Sequence, residues 1–243
     1  MTKPLALVTG GARRLGKAFA LTLARMGYDL LLQYHSAEEQ AQKTKAEIES
    51  LGVKAHLAKV DLTQPDQIES LFSQLDFILH PSCEEFILLV NSAAIMPTGN
   101  PRELELQDWD SALDLNLRAP FLLAQQAAKR MSAGGLIVNI SDIGAQKAWS
   151  RYPSYAVSKA GLESLTKLLA RALAPSIRVN AIAPGLVLPS DVVTKEQWKQ
   201  LIEKLPLKRP ATLDEITSTL EFLINNEYIT GQTIVVDGGY SLV

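Results

Sequence analysis

Seven short apolar runs punctuate the chain, and segments of helical periodicity fill most of the intervals between them. The runs are Leu5 to Thr9, Asp29 to Gln33, Lys54 to Val60, Phe86 to Val90, Leu136 to Ile140, Ile177 to Ala183 and Thr233 to Val236. Each is too short for a helix, and the more continuously apolar of them, such as Phe86 to Val90 and Leu136 to Ile140, predict strands buried on both faces of a parallel sheet. The first interval places Leu15, Ala18, Phe19, Thr22, Leu23 and Met26 on one helix face, and the third does the same with Ile68, Leu71, Phe72, Leu75 and Ile78. Between them, Ser36 and Glu39 have the spacing of a capping box that opens a helix running to about Leu51. His80-Pro81-Ser82-Cys83 reads as a loop. A long helix is expected from about Asp108 to Met131, with Pro120 removing a backbone bond and predicting a kink near Asn116. Further helices run from Tyr155 to about Leu173, around Glu196 to Glu203, and from Leu213 to Asn225. This alternation predicts the α/β class: one doubly wound, about seven-stranded parallel sheet with helices on both faces, a single domain over residues 1–243. Residues 186–207 are irregular and are expected to form a lid over a ligand.

Composition narrows the partners. At 243 residues, 47% hydrophobic, the chain can bury one large core, and a formal net charge of -2 provides no basic footprint for nucleic acid or an anionic membrane. Small molecules and copies of the chain itself are the expected partners. The single cysteine, Cys83, excludes an internal disulfide and leaves no cluster for a metal site; it reads as structural or incidental. No stretch has the apolar length of a signal peptide core or of a bilayer span, so a cytoplasmic location is expected.

Candidate chemistry lies where the strands end. Gly10-Gly11-Ala12-Arg13-Arg14-Leu15-Gly16 sits between the first strand and the first helix, an order that aims backbone N–H groups and a helix dipole at an anion such as pyrophosphate. The second strand ends in Tyr34-His35-Ser36, with no carboxylate to bond a ribose 2′-hydroxyl. Arg13 and Arg14 instead suit a 2′-phosphate, which favours NADP(H), and one of the two is expected to be solvated only. Asp61-Leu62, Asn91-Ser92-Ala93-Ala94 and Pro184-Gly185 follow later strands. Tyr155 and Lys159 stand one helical turn apart, where an ammonium lowers the pKa of a phenol, and Asp142 ends the fifth strand thirteen residues before Tyr155.

Taken in order, these motifs resemble the short-chain dehydrogenase/reductase family over essentially the whole chain, which implies a Rossmann fold. The final Asp237-Gly238-Gly239 belongs to the same set. The resemblance implies that Tyr155 donates a proton, that Lys159 lowers its pKa and holds the nicotinamide ribose, and that Asn116 maintains a proton relay. Gly10, Gly16, Asp61 and Asn91 would line the cofactor, as would Leu15, Leu62, Ala93 and the Pro184-Gly185 turn. Homotetramers are common in the family, built across the long helices and the C-terminal strand.

Two departures are informative. Arg14 replaces the middle glycine of the usual loop, and Asp142 replaces the usual serine, as in the pteridine and dihydromonapterin reductases of this family. An ionised carboxylate offers only acceptors and repels a developing alkoxide, whereas it suits a C=N bond flanked by ring N–H and amino groups. Those reductases usually carry a phenylalanine after the Asn-x-Ala motif; here stand Ile95-Met96-Pro97, with Trp149, Tyr152 or Trp198 available for stacking. The leading expectation is an NADPH-dependent reductase of a dihydropterin or related heterocycle. A reductase of 3-oxoacyl thioesters or other ketones and a non-catalytic NADP-binding sensor are the alternatives.

Overall fold

The computed structural model describes residues 3–82, 85–190 and 193–243, so Cys83 lies outside the described residues. Seven parallel strands form one sheet in the order β3-β2-β1-β4-β5-β6-β7. They are β1 (Leu5–Val8), β2 (Asp29–Tyr34), β3 (Ala55–Lys59), β4 (Phe86–Asn91), β5 (Gly135–Ile140), β6 (Ile177–Pro184) and β7 (Thr233–Val236). The helices that return the chain are α1 (Arg14–Arg25), α2 (Glu38–Glu49), α3 (Pro65–Ser82), α4 (Leu106–Leu113), α5 (Ala119–Ala128), α6 (Pro153–Leu173), α7 (Lys195–Lys204) and α8 (Leu213–Asn225).

Side-chain alternation divides the core into two layers. In β1, Ala6 and Val8 pack with Phe19 and Leu23 of α1 and Leu220 of α8, while Leu5 and Leu7 pack with Phe72 of α3, Leu123 of α5 and Leu169 of α6. Both faces of the inner strands are thus covered, which explains the continuous apolar runs. Among the described residues, no helix is long and apolar enough to cross a membrane.

Three local expectations are corrected. Ser36 does not cap α2: Ala37 is the cap residue, without a side-chain bond, and Glu39 pairs with Lys43 at 2.6 Å. Residues 80–82 are not a loop, since α3 runs through Ser82. The long helix begins at Leu106 and its α-helical part ends at Ala128, with a π-helical turn over Asp114–Arg118. Pro120 has no N–H for the Asn116 carbonyl, so the ladder widens there in place of a simple kink.

Adjacent strand ends are joined by buried side chains as well as by backbone. Asn91 and Asn139 are register partners in β4 and β5, and Asn91 Nδ2 donates to Asn139 Oδ1 at 2.8 Å. Asn139 Nδ2 donates onward to Thr166 Oγ1 of α6 at 2.9 Å. Asn139→Ala would strand these partners in the core, and urea denaturation should show a loss of about 1–3 kcal/mol of unfolding free energy.

Candidate active site

The chain reverses direction across the sheet between β1 and β4, where loops from adjacent strands diverge and leave a crevice beyond the strand ends. A cleft of about 1200 Å³ opens at that place. Its floor is the glycine loop. Gly10 adopts φ +61°, and a Cβ at Gly16 would lie 2.1 Å from the Gly10 carbonyl, so only glycine lets α1 start this close to the loop. The head of α1 has no side-chain cap, which leaves its first N–H groups available to an anion. Gln33 of β2 accepts from Gly10 N at 2.9 Å and donates to Val60 at 2.7 Å, while Thr9 Oγ1 accepts from Ser92 N and Ala93 N. The loop is therefore braced from both neighbouring strands.

Three ionisable groups converge at the other end of the cleft. The Tyr155 hydroxyl donates to Asp142 Oδ2 at 2.9 Å, and Asp142 Oδ1 accepts from Gly144 N at 2.7 Å. Asp142 thus caps a turn with one oxygen and faces the phenol with the other. Lys159, 3% exposed, donates to the Ile140 carbonyl at 2.6 Å, and its Nζ lies 5.7 Å from the Tyr155 ring centroid.

Burial pushes the Tyr155 phenol well above its usual range, and the Asp142 carboxylate adds to this. Burial also raises Asp142, against the lowering effects of Gly144 N–H, the Tyr155 hydrogen bond and the Lys159 charge, with the Glu163 charge adding to the rise. Burial lowers Lys159 to about 8, with Asp142 opposing. Between Asp142 and Lys159 desolvation outweighs the mutual attraction, and at Tyr155 it acts in the same direction as the Asp142 charge.

The cleft wall contains Gly10, Arg13, Arg14, Leu15, Gly16, Tyr34, His35, Ser36, Asp61, Leu62, Ala93, Asp142, Tyr155, Lys159, Pro184 and Gly185. Asn91 and Asn116 are not in it. Asn91 is buried in β4, and its Oδ1 has no partner. Asn116 is fully buried in the π-helical turn, where Oδ1 accepts from Ile95 N and Nδ2 donates to Ile95 O and Ser158 Oγ. It therefore fixes the Ile95-Met96 loop against α6. Trp149, Tyr152 and Trp198 line the cleft, and Trp149 packs between Tyr152 and Tyr240 at 6.2 Å from each.

Several contributors were not singled out from the sequence. Glu163 accepts from Ser141 Oγ at 3.0 Å; its position one turn beyond Lys159 was a readable signal. Tyr240 lines the cleft, held by Lys147, which donates to its carbonyl at 2.8 Å and sits over its ring. Nothing local in the sequence joins residues 93 positions apart.

Comparison with known proteins gives consistent relatives. A family model described as enoyl-(acyl carrier protein) reductase matches residues 10–241. The 1-cyclohexenylcarbonyl-CoA reductase of Streptomyces collinus is 35% identical over 252 residues, spanning 99% of this chain and 88% of its own. The 3-oxoacyl-(acyl-carrier-protein) reductase FabG of Staphylococcus aureus is 33% identical over 246 residues, 98% of each chain. Among solved structures, FolM alternative dihydrofolate reductase 1 from Brucella suis, in complex with NADP, superposes with a TM-score of 0.91 at 35% identity, covering 99% of this chain and 96% of that one.

The buried lysine carries a stability signature. Because its pKa falls from 10.5 to about 8 on folding, its contribution is complete above 10.5 and is lost as pH falls through about 8. That interval corresponds to about 3 kcal/mol. The unfolding free energy of the wild type minus that of Lys159→Met, from urea denaturation, should therefore rise by up to about 3 kcal/mol between neutral pH and 10.5.

Proposed function

The chain belongs to the short-chain dehydrogenase/reductase family, and on that premise we propose an NADPH-dependent reductase of a dihydropterin or a related heterocycle with a reducible C=N bond. The observation that carries this reading is the Asp142–Tyr155 pair, a carboxyl and a phenol 2.9 Å apart at the cleft wall.

The residues of the cleft fit an NADP dinucleotide. The uncapped head of α1, packed tightly against Gly10 through Gly16, suits the pyrophosphate. Near the end of β2, His35 and Ser36 are exposed and carry no negative charge, and the Arg13 guanidinium makes no hydrogen bond or ion pair with the described residues. Arg13 is the guanidinium assigned to the 2′-phosphate. When bound, NADPH supplies the hydride.

The chain supplies the protons and the orientation. Tyr155 keeps its proton at neutral pH and presents Oη as a donor, with Asp142 fixing its direction. Asp142 binds flanking N–H and amino groups as an acceptor and, with its raised proton affinity, passes a proton to ring nitrogen. Lys159 titrates near 8 and, anchored on Ile140, replenishes the pair. Trp149 and Tyr152, packed edge to face, offer aromatic surface to a ring system in the cleft.

A thioester reading rests on the names of the two curated relatives, and a silent sensor would have no use for three titratable groups gathered in one cleft. Half-exposed Phe121 on α5, with Val157 and Leu168 on α6, provides an apolar face suited to pairing of the long helices in a homotetramer in the cytoplasm.

NADPH oxidation, followed by absorbance, should occur with dihydrobiopterin or dihydrofolate and be at least about tenfold slower with acetoacetyl thioester. Turnover confined to the thioester would refute the heterocycle assignment, and no turnover with any would favour the sensor. Asp142→Ser should reduce pterin kcat by about 100-fold or more, the scale of a lost general acid. Arg13→Ala should weaken NADPH by about tenfold while leaving NADH affinity unchanged, as read by fluorescence titration.

A further inference from the structure

Arg14 occupies a backbone conformation that its residue type disfavours. Its φ of 53° is in the left-handed region, and it stands at the middle-glycine position of the loop. The side chain offers a reason for such a choice. Nη1 donates to the Pro189 carbonyl at 2.9 Å and Nη2 to the Leu188 carbonyl at 3.2 Å. These two carbonyls lie just beyond β6, on the opposite lip of the cleft, and no other donor among the described residues reaches them. Pro189 has no N–H of its own, so the lip has little backbone bonding with which to hold itself. Its backbone ties are at its two ends, where the Leu186 carbonyl accepts from Ala211 N at 2.8 Å and the Ser190 carbonyl from Val193 N at 3.1 Å.

We propose that Arg14 is a positioning residue that latches the substrate lip, residues 186–190, onto the glycine loop, so that the cofactor and substrate halves of the cleft are set against each other before any ligand enters. Left-handed backbone swings the side chain away from the direction a helical residue would take, across the cleft mouth. The fork then engages two consecutive carbonyls, which a single ammonium cannot match. Two donors of the guanidinium are committed and three remain for an anion at the head of α1, so the latch and a bound phosphate are compatible. The inference goes beyond the reductase reading and holds whichever substrate is reduced.

Hydrogen exchange by mass spectrometry on the unliganded full chain tests it, comparing wild type, Arg14→Gly and Arg14→Lys. Arg14→Gly installs the residue that the backbone prefers, so the melting temperature should hold or rise. Peptides covering residues 186–190 should nevertheless exchange about fivefold faster or more, with β1 and α8 unchanged. Arg14→Lys should fall between. Unchanged exchange at 186–190 in Arg14→Gly would overturn the latch, as would acceleration spread evenly over the chain. With NADPH as probe, Arg13→Ala should weaken binding without altering exchange at 186–190. If Arg13→Ala loosens that lip to the same degree as Arg14→Gly, the assignment to Arg14 fails.

Discussion

A parallel sheet covered on both faces has only its edges left for chemistry, and of these only the one at the carboxyl ends of the strands gathers loops that can be varied. The reversal of strand order between β1 and β4 opens that edge into a cleft. Every other property of the site follows from this placement. The glycine loop must be short because β1 feeds α1 directly. The strand ends must carry small or polar residues because ligand and backbone meet there. Gln33, Thr9, Asn91 and Asn139 then join neighbouring strand ends by side-chain hydrogen bonds, so that the loops start from a rigid rim.

Desolvation governs the chemistry inside that rim. Asp142 and Lys159 favour each other's charged forms, and the Asp142 charge disfavours a Tyr155 phenolate, yet burial has the largest effect on all three. Glu163, one turn further along α6 and bonded to Ser141, adds a negative charge behind Asp142 and raises its proton affinity further.

Much of this was legible in the residues. The seven short runs corresponded to the seven strands, most plainly for the inner ones, where strands buried on both faces have few polar positions to obscure them. Leu213 and Asn225 bounded the last helix, where Thr212 and Glu215 form a capping box whose partners are three residues apart. Ser36 and Glu39 have the same spacing, and there the box did not form: the helix starts one residue later, with Ala37 as its cap, and Glu39 pairs with Lys43. Pro120 announced a disturbance at Asn116, but whether the ladder kinks or widens to a π turn depends on what packs against it. Asn116 shows why: its amide is engaged by Ile95 and Ser158, from two other parts of the chain.

Local sequence therefore determined the order and type of elements, the glycine loop and the Tyr155–Lys159 pair, all of which depend on neighbours within about one helical turn. Tertiary structure decided what those residues do together. It placed Asp142 against Tyr155, withdrew Asn91 and Asn116 behind the cleft wall, brought Tyr240 beside Lys147, and turned Arg14 toward Leu188 and Pro189. Burial and hydrogen bonding act through distance in space, and the strand crossovers that bring these residues together are not encoded near any one of them.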